Sequence, residues 1–129
     1  VNLWVALGVG VGAGLGAQLR YAAELVHARD RRRRGLGRAT FPWATLTVNV
    51  VGSAVLGVVA ALVLRGWLDA GWGTVLGAGF AGGLTTFSTF SLDVVELWRR
   101  HRTLRAALDV AAHLLLGVGA AVAGFHLAA

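Results

Sequence analysis

Cysteine is missing from this sequence, which removes disulfides, thiolate catalysis and cysteine-held metals together. Lysine is missing too, so all 12 basic residues are arginine. Charge is scarce: 14% of residues are charged, against roughly 25% in soluble domains. Hydrophobic residues make up 57%, mean hydropathy is +0.69, and a length of 129 residues leaves room for one domain, 1–129. No nucleophile–base pair or metal cluster stands at usable spacing, so an enzyme is not expected. The net charge of +6 invites a nucleic-acid reading. The arginines, however, sit in short clusters between long apolar runs, the pattern of a multispanning membrane protein, and no nucleic-acid partner is expected. The apolar stretch from Leu3 lacks a basic leader and is too long for a signal-peptide core, so no cleavable signal peptide is expected. The chain opens at Val1, implying an initiator methionine that is removed or precedes the numbering.

Four stretches are long enough to cross the bilayer, which takes about 20 helical residues. They are Leu3–Val26, Phe41–Leu64, Trp72–Trp98 and Leu104–Leu127, giving an all-α membrane protein of four helices. Pro42 is expected in the first turn of the second helix, where its missing N–H costs nothing. Trp4, Trp43, Trp67, Trp72 and Trp98 fall near span ends, as an interfacial belt requires. Gly8, Gly12 and Gly16 recur every four residues in the first span, with Gly10 and Gly14 as a second row. Such rows let another helix approach closely, since packing must hold helices together in lipid.

Arginine placement sets the orientation. The first loop holds Arg29, Arg31, Arg32, Arg33, Arg34 and Arg38, and the third holds Arg99, Arg100, Arg102 and, at its edge, Arg105. The second loop, on the other face, holds only Arg65. Ten against one places the first and third loops in the cytoplasm and both termini outside it. Contact of the basic run with anionic lipid is compatible with this topology.

The third span carries Gly79-Phe-Ala-Gly-Gly-Leu-Thr-Thr-Phe-Ser-Thr-Phe-Ser91. Gly82 and Gly83, followed by Thr85 and Thr86, are a weak point in a helix. Gly82 stands ten residues beyond Trp72, about 15 Å of rise, so the weak point falls near mid-membrane. A break there frees carbonyls suited to a small cation and N–H groups suited to an anion. The alternative is a glycine-softened packing surface whose hydroxyls bond back to carbonyls one turn earlier. Phe87 and Phe90 share one helix face among Thr86, Ser88, Thr89 and Ser91, and ring edges attract anions without carrying charge. In the second span Thr45, Asn49 and Ser53 line one face. Asn49 either bonds across helices or donates its N–H groups to an anion in a pore.

The stretches Gly16-Ala-Gln-Leu-Arg-Tyr21, Pro42-Trp-Ala-Thr-Leu-Thr-Val-Asn-Val-Val-Gly52 and Gly82-Gly-Leu-Thr-Thr-Phe-Ser-Thr-Phe90 together resemble the Fluc (CrcB) fluoride channels. The resemblance implies a fluoride-selective passive channel in the inner (plasma) membrane that relieves fluoride toxicity. It further implies an antiparallel, dual-topology-type dimer with a third helix broken at mid-membrane and pores at the subunit interface. A structural sodium ion would be held on the symmetry axis by the Gly82 and Thr85 carbonyls. Phe87, Phe90 and Asn49 match pore positions, Thr45, Thr86, Ser88 and Thr89 match hydroxyls near the pathway, and Arg20 matches a basic vestibule residue. Three departures stand out: Ala44 replaces a usual glycine, the first loop is longer and more basic, and His113 occupies a position where a small hydroxyl residue lines the pore. The span Leu104–Leu127 contains no Ser, Thr or Tyr.

Two other classes fit the size. A small multidrug-type transporter would need a membrane-embedded carboxylate, whereas Glu24, Asp93, Glu96 and Asp109 are expected toward span ends and Asp69 in a loop. A non-transporting adaptor would not need a hydroxyl-rich weak point at mid-membrane. The arginine asymmetry also bears on the partner: one fixed orientation favours a heterodimer with an oppositely oriented paralogue over a homodimer.

Overall fold

The computed structural model describes residues 2–37 and 40–129. Arg38 of the first loop and Val1 lie outside the described residues. The chain forms helices α1 (Leu3–Arg33), α2 (Trp43–Leu64), α3 (Ala70–Thr74), α4 (Gly82–Leu84), α5 (Phe87–Arg99) and α6 (Thr103–Ala128), with a π-helical stretch, Val75–Ala81, joining α3 to α4. Among the described residues four stretches are long and apolar enough to cross a membrane: α1, α2, Ala70–Arg99 and α6.

Helix α1 does not stop at Val26 as the hydropathy suggests. It continues through Arg29, Arg31, Arg32 and Arg33 for 31 residues, about 46 Å, well beyond the roughly 30 Å of hydrocarbon. No helix breaker intervenes, Asp30 pairs with Arg34 at 2.9 Å, and three arginines in the last turn suit the negative end of the helix dipole. Most of the basic run is therefore a protruding helix end rather than a loop. Pro42 sits one residue before α2, at its N-cap, and its carbonyl accepts the Leu46 N–H at 3.1 Å.

The loops end their helices by one device. After α1, Gly35 (φ 65°) and Leu36 donate to Arg32 O and Arg31 O. After α2, Gly66 (φ 71°) and Trp67 donate to Val63 O and Leu62 O. After α5, His101 (φ 56°) and Arg102 donate to Trp98 O and Leu97 O. This is the Schellman pattern, in which a left-handed residue turns the chain back on the last carbonyls. Asp69 then caps α3, accepting from Gly71 N at 2.8 Å and Trp72 N at 3.2 Å.

Packing follows the small residues. A side chain added at Gly16 would strike the backbone of Phe80 and Leu84, and one at Gly83 would strike Ala13. The Gly8, Gly12 and Gly16 row is thus pressed against the third span, Gly12 and Gly16 backbone to backbone and Gly8 on the Val75 side chain. Gly10 and Gly14 have no neighbour within 4 Å, so that second row meets nothing inside this chain. α2 and α6 pack the same way, with Gly57 on Ala121 and Gly124 on Ala54. The five tryptophans are all exposed.

In the third span the Gly82–Gly83 pair stays helical, contrary to its composition. The irregular backbone lies on either side. Before it comes the π-helical stretch, rich in glycine; after it Thr85 (φ −78°, ψ 157°) and Thr86 (φ −149°, ψ 121°) are extended.

Candidate functional site

Thr86 ends the extended pair and caps α5, its hydroxyl accepting the Thr89 N–H at 3.2 Å. The same hydroxyl donates to Thr89 Oγ1 at 3.0 Å and lies 3.2 Å from Ser88 Oγ. The Thr86 peptide is in turn held by Asn49, whose Oδ1 accepts the Thr86 N–H at 2.8 Å while its Nδ2 donates to Thr86 O at 3.1 Å. A carboxamide can pair with an extended peptide as a neighbouring strand would, and that satisfies two groups a helix would otherwise have paired. Asn49 therefore bonds across helices and keeps one N–H in hand. Thr85 and Ser91 bond back to Ala81 O and Phe87 O, so these two hydroxyls follow the packing alternative.

This arrangement releases two carbonyls. Gly82 O would accept the Thr86 N–H in a continuous helix, but Asn49 takes that donor. Thr85 O would accept the Thr89 N–H, but the Thr86 hydroxyl takes it. Gly82 is exposed, and its oxygen has only a long 3.5 Å contact from Thr85 Oγ1. Thr85 O instead accepts the Arg20 guanidinium at 3.0 Å. Two hard oxygens suit a sodium ion in kind. One chain supplies too few of them, and the Thr85 oxygen would be shared with a guanidinium. Among the described residues no group of three His, Cys, Asp or Glu side chains offers a metal another home.

Two grooves flank the Asn49–Thr86 pairing. The first, about 430 Å³, lies between α2, α5 and α6 and is lined by Asn49, Ser53, Thr86, Phe87, Phe90 and His113. The Phe87 and Phe90 rings lie 5.7 Å apart, and the Phe90 and His113 rings, tilted by 49°, lie 4.4 Å apart, making a row of three rings. Phe87 is 79% exposed at its outer end. The second groove, about 380 Å³, is lined by Tyr21, Glu24, Thr45, Thr89 and Asp93 among others. There Thr45 Oγ1 donates to Asp93 Oδ2 at 2.6 Å. The polar face of α2 is thus divided, with Asn49 and Ser53 in one groove and Thr45 in the other. Ser88 lines neither of these two grooves, and Arg20 joins the site through the Thr85 carbonyl.

Three contacts escape a sequence reading: Arg20 on Thr85 O, Thr45 on Asp93, and Asp109 with His113. The first two link residues 65 and 48 positions apart, and no local pattern signals them. The third has a signal, since Asp and His four residues apart share a helix face. The expectation that Asp109 stays near a span end misses its burial, for it is fully buried one turn before His113. Packing of α5 over α6 puts it there.

Four apolar spans, with a ring-lined groove between α2, α5 and α6, define a multi-pass membrane protein. Comparison with known proteins narrows this. A family model described as CrcB-like protein, Camphor Resistance (CrcB), matches residues 7–125. A fluoride-specific ion channel FluC from Renibacterium salmoninarum is 39% identical over 122 residues, covering 94% of this chain and 96% of the relative. The fluoride-specific ion channel FluC 1 of Symbiobacterium thermophilum is 46% identical over 125 residues, 96% and 95% of the two chains. A fluoride-specific ion channel FluC from Rhodospirillum centenum is 44% identical over 125 residues, 94% and 92% of the two chains. The chain belongs to the CrcB family, a family of ion channels and not of enzymes.

Proposed function

We propose that this chain is a passive, fluoride-selective channel of the inner (plasma) membrane that lets fluoride leave the cytoplasm. The observation that carries the reading is the groove itself, where Phe87, Phe90, Asn49 and Ser53 line one space. Positive ring edges and hydrogen-bond donors suit a small, hard anion, and the positive end of α5 points the same way. The names of the relatives supply fluoride as that anion. Fluoride enters cells as the neutral acid and ionises inside, so a passive path for the anion lowers its level and relieves toxicity.

The working unit in this reading is an antiparallel dimer with pathways at its interface and the third helix interrupted at mid-membrane, at Thr85–Thr86. Gly10, Gly14 and the exposed Gly82 leave faces for a second subunit. The central sodium ion would be held by Gly82 O and Thr85 O of each subunit; once bound it supplies positive charge and ties the two chains together. Thr45, Thr86, Ser88 and Thr89 keep the pathway polar, and Arg20 makes its vestibule basic.

The test is efflux from proteoliposomes followed with a fluoride electrode. Rapid fluoride efflux, with chloride retained, is expected; equal efflux of the two ions overturns the proposal. Asp109 is a carboxylate inside a span, as a multidrug-type transporter would need, but it is fully buried behind His113 and out of reach of a drug.

A further inference from the structure

The arginines that close and follow the α1 helix are used unequally. Arg34 pairs with Asp30 at 2.9 Å, and Arg31, half-buried, lines a small cleft with Asp93, Glu96 and Arg100. Arg29, Arg32 and Arg33 are exposed and share one face, three and four positions apart. No acidic residue stands three or four positions from Arg29 or Arg32. The one that does so for Arg33 is Asp30, which Arg34 holds. Like charges at this spacing repel one another, so the face favours a bound anion.

Trp43 fixes their depth. It is exposed, as an interfacial tryptophan should be, and shares a groove of about 470 Å³ between α1 and α2 with Ala22, Val26, His27 and Asp30. The edge of the hydrocarbon therefore passes near Val26–Asp30. Arg33 stands six residues beyond His27, about 9 Å along the helix. A long side chain at that height reaches a headgroup layer roughly 5–8 Å deep. Val11, Leu15, Leu19, Ala22 and Val26 precede Arg29 and Arg33 at steps of three and four, and all are exposed. The arginines thus stand at the end of an apolar, outward face.

We propose that this groove between α1 and α2, with Arg29, Arg32 and Arg33 above it, is a binding site for an anionic phospholipid. An acyl chain lies along Ala22 and Val26 beside Trp43, and the phosphate meets the guanidinium groups. Arg29 and Arg33 follow Val26 by three and seven residues, so they stand over the same side of the helix. A guanidinium fork pairs with two phosphate oxygens at once. A phospholipid brings that charge to this depth together with a chain for the groove, whereas a nucleic acid would meet the arginines alone. The assignment is independent of the channel reading, because it uses no residue of the ring-lined groove.

The experiment is lipid retention by native mass spectrometry, using the full chain in the assembly it forms when purified. Detergent-solubilised protein is titrated with phosphatidylglycerol or with phosphatidylcholine of identical chains. Each arginine beside an anionic headgroup contributes about fivefold. Phosphatidylglycerol should therefore bind at least about tenfold more tightly than phosphatidylcholine, and Arg29→Gln with Arg33→Gln should weaken it by about twentyfold. Arg65→Gln, at the other end of the molecule, should leave retention unchanged. Ala22→Phe, which narrows the groove from an exposed position, should weaken both lipids. Soluble glycerol phosphate and a short RNA should displace neither. Circular dichroism checks that each variant is folded. Equal retention of the two lipids, or undiminished phosphatidylglycerol in the folded double variant, overturns the site. So does a loss of equal size in Arg65→Gln, or indifference to Ala22→Phe. Displacement by glycerol phosphate or by RNA overturns it in favour of a phosphate or nucleic-acid surface.

Discussion

Asn49 shows how one side chain can decide a backbone. Its amide takes both hydrogen-bonding groups of the Thr86 peptide, and this frees the Gly82 carbonyl. Asn49→Ala would leave a buried N–H and C=O unpaired, so we expect a loss of about 2–4 kcal/mol, read as a lower unfolding temperature in detergent. Phe87→Ile and Phe90→Ile keep most of the apolar volume but lose the ring edges. Fluoride efflux should slow by about threefold to tenfold with the fold intact, since such ring contacts are worth of order 1 kcal/mol. Wild-type rates from both folded variants would make these rings packing alone. At this scale the sequence was partly readable. Phe87 with Phe90, and the alternatives for Asn49, follow from spacing. The spending of hydroxyls does not, because Thr86 could bond in several directions and only the extended backbone of Thr85 and Thr86 selects the cap.

Element ends were harder to read than element cores. Hydropathy stops α1 at Val26 because arginine scores as loop, yet arginines are good helix formers and the helix runs to the first left-handed residue, Gly35. The glycine row of α1 was legible because backbone contact demands it, while the idle second row looked identical in sequence. The loop after α5 places His101 where the other two Schellman turns have glycine. A histidine at positive φ carries strain that glycine lacks. His101→Gly should therefore stabilise the protein by about 0.5–1 kcal/mol, measurable as a small rise in unfolding temperature without change in efflux.

For the molecule as a whole, the arginines argue about direction more strongly than about chemistry. Arg29 and Arg31–Arg34 cluster at one end of the α1 helix and just beyond it, and Arg99, Arg100 and Arg102 lie at the junction of α5 and α6, with Arg65 alone at the other side. A chain so biased should insert one way, with its termini outside the cytoplasm. Two copies facing the same way cannot form an antiparallel pair, so the expected partner is a homologous subunit of opposite orientation. Because the chain has no cysteine, single cysteines placed near the two termini give a clean labelling assay in intact cells. Labelling from outside alone, and efflux that rises when a paralogue is co-expressed, is the expected outcome. Termini on both faces with full activity from this chain alone would restore the homodimer.

The π-helical stretch Val75–Ala81 has a different kind of consequence. A turn closed from i to i+5 holds one residue more than an α turn, so it takes up a surplus residue in a helix whose flanks cannot shift. Here the flanks are pinned, by Asp69 capping at one end and by Gly83 against Ala13 of α1 at the other, while Gly79 within the stretch lies on Val9. Removing exposed Ala78 should let the segment rewind as an ordinary helix with its ends still in phase. The surplus residue is thus held in place by packing, because excising it would pull the Gly79 backbone off Val9.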